Sequence, residues 1–279
     1  MPQLTMTQAP IGIFDSGYGG LTILSEIRKA LPQYDYIYLG DNARAPYGTR
    51  SFEIVYKFTL EAVQYLFDQG CQLVILACNT ASAKALRTIQ QNDLPHIDPQ
   101  RRVLGVIRPT VEALSRISNN GNIGLLGTPG TIQSGSYTAE VHKLYPKFNV
   151  YGQACPMWVP LIENNETDNE GTDYFVGKYI SELMTQESNI DTVILGCTHY
   201  PLLYNLIRKH LPAHINILSQ GLLVADSLKD YLARHPEMEE RCSTHGTCTY
   251  LTTESERKFA DTAALFLQDN ITAQKIELG

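Results

Sequence analysis

The sequence predicts an α/β chain of two similar domains, each built on a parallel sheet. The two are related by pseudo-symmetry, and the active site lies in the cleft between them. Three observations carry this prediction. Short apolar runs alternate with amphipathic stretches along the chain, as in strands joined by helical, right-handed crossovers. Several of the runs are continuously apolar, as strands covered on both faces are. Two strand–turn patterns also recur in the second part of the chain, in the same order. The 279 residues suit two domains of ordinary size. Hydrophobic residues at 43% and charged residues at 18% are those of a globular protein.

The elements follow in order. Strand 11–14 leads into Asp15-Ser16-Gly17-Tyr18-Gly19-Gly20, then a helix with Leu21, Leu24, Ile27 and Leu31 at helical spacing. Strand 36–39 precedes a helix opened by Ser51 and stopped by Gly70, with Val55, Thr59, Ala62 and Leu66 on one face. Strand 73–77 leads into helix 81–91. Residues 92–102 hold two prolines and several charges and read as a loop. Strand 103–107 and helix 111–117 follow. Next come strands 122–126, 148–152, 192–195 and 216–218, with helices at 137–144, 174–185 and 202–210. Residues 163–173 are acidic and Asn-rich and read as a second loop. Helix 222–233, strand 249–251 and helix 255–267 complete the chain.

The formal net charge is −7 and the basic residues are scattered, which argues against a nucleic-acid partner. A local basic pocket for a small anion stays open. Residues 1–10 are polar, without the apolar core of a signal peptide. No run of about 18 apolar residues would span a membrane. A cytoplasmic setting is expected, where the six cysteines stay reduced. Cys242 and Cys248 flank His245 but lack a fourth ligand and the usual pairing, so no metal is expected there. Surface or core thiols are the reading for that pair.

The repeat is the most informative feature. Val74-Ile75-Leu76-Ala77-Cys78-Asn79-Thr80-Ala81 recurs as Val193-Ile194-Leu195-Gly196-Cys197-Thr198-His199-Tyr200. Upstream of each, Ile11-Gly12-Ile13-Phe14-Asp15-Ser16-Gly17 is echoed by Ile123-Gly124-Leu125-Leu126-Gly127-Thr128-Pro129-Gly130. Each copy presents a cysteine at the carboxyl end of a strand, where parallel sheets bind ligands. Each thiol precedes a helix, whose N-terminus favours the thiolate and brings a pKa near ~8.5 towards neutrality. A lone cysteine there is read as a small buried hydrophobe. Two in matched seats fit proton transfer on opposite faces of one carbon, one as thiolate base and one as thiol acid. The alternatives are a nucleophilic cysteine hydrolase using Cys197 and His199, and a two-domain amino-acid binding protein.

Around the thiols, the Gly-rich turn after Asp15 lets backbone N–H groups approach an anion. It is neither a dinucleotide nor a Walker pattern. Asp15 either caps that turn, handles a proton or contacts an ammonium group. His199 tunes Cys197, binds a carboxylate or is structural. Glu163 either reaches the cleft or is solvated.

The chain resembles glutamate racemase. The likeness runs through Asp15-Ser16-Gly17-x-Gly19-Gly20, Gly40-Asp41 with Pro46-Tyr47-Gly48, and Cys78-Asn79-Thr80-Ala81-Ser82. It continues through Ala154-Cys155-Pro156 with Val159-Pro160-Leu161, and Leu195-Gly196-Cys197-Thr198-His199-Tyr200-Pro201. It implies a cofactor-independent enzyme that interconverts L- and D-glutamate for peptidoglycan synthesis in a bacterial cytoplasm. Cys78 and Cys197 would transfer the protons, with Asp15, Glu163 and His199 as auxiliary groups. Asp15, Ser16, Tyr47, Gly48, Asn79, Thr80, Thr198 and His199 would contact substrate. It implies a first domain of residues 1–107 and 220–279, a second of 108–219, and a homodimer. His199 favours glutamate over aspartate, since aspartate racemases typically carry an acidic residue there. Ser219-Gln220-Gly221 and the 92–102 loop depart from the family pattern.

Overall fold

The computed structural model describes residues 8–279. Most of the polar stretch 1–10 read above lies outside the described residues. The strands are β1 (Ile11–Asp15), β2 (Tyr36–Gly40), β3 (Leu73–Leu76), β4 (Arg102–Gly105), β5 (Asn122–Gly127), β6 (Asn149–Ala154), β7 (Thr192–Gly196), β8 (Asn216–Leu218), β9 (Cys248–Thr252) and β10 (Ala273–Lys275). They form two parallel sheets, one of six strands in the order β10-β9-β2-β1-β3-β4 and one of four in the order β6-β5-β7-β8. The first four strands of each sheet thus take the same spatial order, second-first-third-fourth. In both sheets the order reverses between the first and third strands, and the crevice at the carboxyl ends of such strands is where open parallel sheets bind ligands. Ser16 and Cys78 follow β1 and β3; Thr128 and Cys197 follow β5 and β7 in the equivalent seats.

The continuously apolar runs are the central strands. β1, β2, β3 and β7 are buried at every residue. Their largely apolar sequences fit strands covered by helices on both faces. Helices Gly20–Ala30 and Gly221–Arg234 pack against each other across the return from the second sheet. No helix among the described residues is long and apolar enough to cross a membrane.

The loop read at 92–102 is corrected. A π-helical turn, Ile89–Asp93, continues into helix Leu94–Ile97, and only 98–101 is irregular before β4. Pro95 stands in the first turn of that short helix; its presence had suggested a break. The second loop shrinks to 164–169. Glu163 ends helix Trp158–Glu163, and helix Glu170–Gln186 begins where Asn169 Oδ1 accepts from Thr172 N at 2.9 Å. The asparagines that read as loop include a helix cap. Strand 103–107 is shorter than read, because Ile107–Glu112 is already helical. Helices Pro129–Gln133 and Pro236–Glu239 and strand β10 carried too little periodic signal to be read.

Candidate active site

Cys78 sits two residues beyond β3 in extended conformation and caps helix Asn79–Lys84, its sulfur accepting from Ala81 N at 3.4 Å. Ser16 Oγ stands 3.3 Å from the same sulfur. Cys197 directly follows β7, before the 3₁₀ turn Tyr200–Leu203. Its sulfur lies 3.8 Å from His199 Nδ1, and His199 Nε2 lies 2.9 Å from Glu163 Oε1. A thiol, an imidazole and a carboxylate therefore stand in line. Trp158 packs edge-on against Tyr200 at 4.7 Å behind this loop, and Phe266 sits edge-on to His199 at 5.5 Å. Both thiols are only 6% exposed.

The two halves are interlocked at these loops. Thr22 Oγ1 donates to Thr198 O at 3.0 Å, and a Cβ on Gly19 would stand 2.2 Å from Thr198 Oγ1 and 2.4 Å from His199 Nδ1. Only a glycine permits so close an approach. The reciprocal contact joins Thr80 Oγ1 to Thr128 Oγ1 (3.0 Å) and Thr131 Oγ1 (3.3 Å). Each cysteine loop thus rests on the first turn of the opposite half. Gly48 O accepts from Gly130 N at 2.7 Å beside them.

Asp15 ends β1 and is buried. Its Oδ2 accepts from Gly17 N at 2.9 Å, while Oδ1 has no partner among the described residues. Burial raises its pKa, and the charge of His199 works against that rise. Burial, then the charge of Asp15, push the Cys78 thiol up to about 12, against the hydrogen bonds from Ser16 and Ala81 N. The expectation of a thiol drawn towards neutrality by its helix is therefore corrected at Cys78. In the closed site, desolvation outweighs one short helix terminus. Burial alone would push His199 down, but its hydrogen bonds to Cys197 and Glu163 raise it to about 10.

The fold brings Cys78, Cys197, Asp15, Ser16, Thr80, Thr198, His199 and Glu163 together. Two predicted contacts lie differently. The Tyr47 side chain is buried between Phe14 and Phe58, its hydroxyl donating to Asp41 Oδ2; the adjacent Gly48 borders Thr128. The Asn79 side chain bonds Gln220 and Tyr137. Sequence reading missed Thr22, Thr128, Thr131, Tyr137 and Phe266 at this junction. Only the place of Thr128 in the repeat signalled any of them.

A family model described as Asp/Glu/hydantoin racemase matches residues 21–228. The chain is 44% identical over 220 residues to a glutamate racemase of Persephonella marina, covering 78% of this chain and 81% of that one. The structure matches a glutamate racemase isoform of Bacillus anthracis with a TM-score of 0.88 at 35% identity, covering 97% of this chain and 98% of that chain. It matches the glutamate racemase of Francisella tularensis, solved in complex with D-glutamate, with a TM-score of 0.86 at 32% identity and the same coverage.

Proposed function

The chain belongs to the Asp/Glu/hydantoin racemase family, and on that premise we propose that it interconverts L- and D-glutamate by two-base proton transfer between Cys78 and Cys197. The observation that carries this reading is the pairing of thiols. They follow equivalent strands of two sheets with the same topology, and each cysteine loop rests on the first turn of the opposite half.

The α-carbon of an amino acid is a weak acid. Two thiols suffice for both transfers: a thiolate takes the α-proton from one face, and a thiol delivers a proton to the other. The enzyme is left with the roles exchanged, and solvent exchange restores them. Cys78, held up by burial and Asp15, is the thiol of the resting pair. Beside Cys197 stands His199, raised by Cys197 and Glu163 and hence protonated at neutral pH, the cation that a thiolate base needs. Asp15 would take the substrate ammonium group, a reading supported by its Oδ1, which is buried and without a partner among the described residues. Burial of both thiols excludes water once substrate is held, which strengthens each of these charges, and requires the halves to part for entry. We assign the product to peptidoglycan synthesis in a bacterial cytoplasm, the division of the chain to residues 1–107 with 220–279 and 108–219, and the assembly to a homodimer.

The aligned Cys197, His199 and Glu163 favour one second reading, a cysteine hydrolase. It leaves Cys78 without a task. Purified protein is to be followed by circular dichroism with L-glutamate and, in parallel, L-aspartate, without pyridoxal phosphate and in deuterated water. Racemisation of glutamate, deuterium at the α-carbon of product, and loss of turnover in Cys78→Ala and in Cys197→Ala are expected. Full activity in either variant, or a trapped acyl-enzyme at Cys197, sinks the two-thiol assignment. Faster turnover of aspartate moves the substrate to that amino acid.

A further inference from the structure

Asn79, next to Cys78, belongs to a closed ring of hydrogen bonds. Its Nδ2 donates to Gln220 Oε1 (2.6 Å), Gln220 Nε2 donates to the Tyr137 hydroxyl (2.8 Å), and that hydroxyl donates to Asn79 Oδ1 (2.6 Å). The second hydrogen of Gln220 Nε2 reaches Thr110 Oγ1 at 2.8 Å, and the Thr110 hydroxyl donates to Val106 O at 2.7 Å. Asn79, Thr110, Tyr137 and Gln220 are each at most 2% exposed. The two amides are locked to each other: turning Asn79 alone sets acceptor against acceptor, and turning Gln220 alone sets donor against donor, in a buried place where an orphaned polar group is costly.

The members come from every part of the junction. Asn79 follows β3 of the first sheet. Thr110 lies in helix Ile107–Glu112, just after the chain leaves that sheet. Tyr137 lies in helix Ser136–Leu144 of the second half, and Gln220 precedes helix Gly221–Arg234, where the chain returns. Cys197 is supported elsewhere, by Thr22, the Gly19 turn and Glu163.

We propose that Gln220 is a positioning residue for one of the two proton transfers. Through Asn79 it ties the seat of Cys78 to both crossovers, and so sets the distance from that thiol to a carbon held against the other half. The inference rests on the two-thiol reading.

Gln220→Met keeps the length of the side chain and removes the ring; Tyr137→Phe removes one hydroxyl from it. The two enantiomers have equal free energy, so kcat/KM must fall by one factor in both directions and cannot locate the fault. Isotope effects with α-deuterated L- and D-glutamate can. Slowing transfer at Cys78 makes that step more rate-limiting. The isotope effect then rises for the enantiomer that Cys78 deprotonates and falls for the other.

In Gln220→Met, kcat is expected to fall about 10- to 100-fold, the scale of a sub-ångström misplacement, with KM within about threefold. The two isotope effects are expected to move in opposite directions. Tyr137→Phe should do the same, more weakly, and the double variant should lose less than the product of the two. If Gln220→Met fails to fold, Tyr137→Phe carries the test. Isotope effects that stay put or move together, with only a lower melting temperature, overturn the proposal while the two-thiol reading stands. A wild-type protein without racemase turnover sinks both.

Discussion

Gly19 gives the sharpest test of the interlocked halves. It adopts φ −58° and ψ −35°, which any L-residue takes without strain. Gly19→Ala therefore acts through the added methyl alone. That carbon would stand 2.2 Å from Thr198 Oγ1 and 2.4 Å from His199 Nδ1. Restoring a contact of about 3.5 Å requires a shift of roughly 1 Å. Thr198 and His199 are buried and held by Thr22 and Glu163, so the loop carrying Cys197 must move or the halves must separate. A displacement of about 1 Å costs on the order of 10²-fold in turnover, about 2.7 kcal/mol of barrier. Overpacking adds about 1–3 kcal/mol of lost stability. We predict a fall in kcat/KM of this order by the circular dichroism assay, with a melting temperature lowered by several degrees. An alanine variant with wild-type turnover and stability would show that the first turn and the Cys197 loop do not meet in the working enzyme.

Two further predictions follow. Glu163→Gln removes the carboxylate that helps hold His199 up at about 10, so the imidazolium is lost at lower pH; we predict that the basic limb of the kcat/KM profile moves down by about 1–3 units, the scale for losing an adjacent opposite charge, and an unmoved limb would refute the role given to Glu163. At Asp35, burial alone would raise the carboxyl, but hydrogen bonds from Ser243, Thr247 and His245 outweigh it and depress the pKa. A depressed acid stabilises the fold above its unfolded value near ~4 and loses that contribution as pH falls towards the folded value. Asp35→Asn should therefore cost about 1.5–3 kcal/mol near neutrality and flatten the acid side of a melting-temperature profile, with racemisation unchanged; a profile parallel to wild type would refute it.

The strands most legible in the sequence, β1, β2, β3 and β7, are those buried at every residue. β10 was not legible, because Ala273-Gln274-Lys275 is a partly exposed edge held by backbone pairing to β9. Cys78 and Cys197 were legible because a repeat marks equivalent seats whatever their chemistry. Glu163 was undecided between cleft and solvent, since its reach to His199 depends on where helix Trp158–Glu163 ends. Tyr47 shows the opposite limit. The motif singled the residue out, but nothing local signalled that its hydroxyl goes to Asp41 and its ring to the core. Gln220 stood out only as a departure from a pattern. Its partners Asn79, Thr110 and Tyr137 are up to 141 residues away, and no local spacing encodes such a ring.

The repeat explains why there are two thiols, but the reaction depends on where the halves differ. At the position two residues past the cysteine, one half has Thr80 and the other His199. Among the described residues, the Thr80 hydroxyl bonds hydroxyls of the opposite half, Thr128 and Thr131. His199 meets a thiol and a carboxylate. With identical surroundings, neither thiol would be preferred as the resting acid. Two thiols offer no base, and two thiolates offer no acid to finish the turnover. On the proposed reading a resting enzyme needs one of each. Burial and Asp15 hold the proton on Cys78, while a protonated imidazole stands beside Cys197. On the proposed reading, pseudo-symmetry sets the two thiols on opposite faces of the substrate, and its breaking two residues beyond each cysteine gives them unlike neighbours, hydroxyls beside one and an imidazole beside the other.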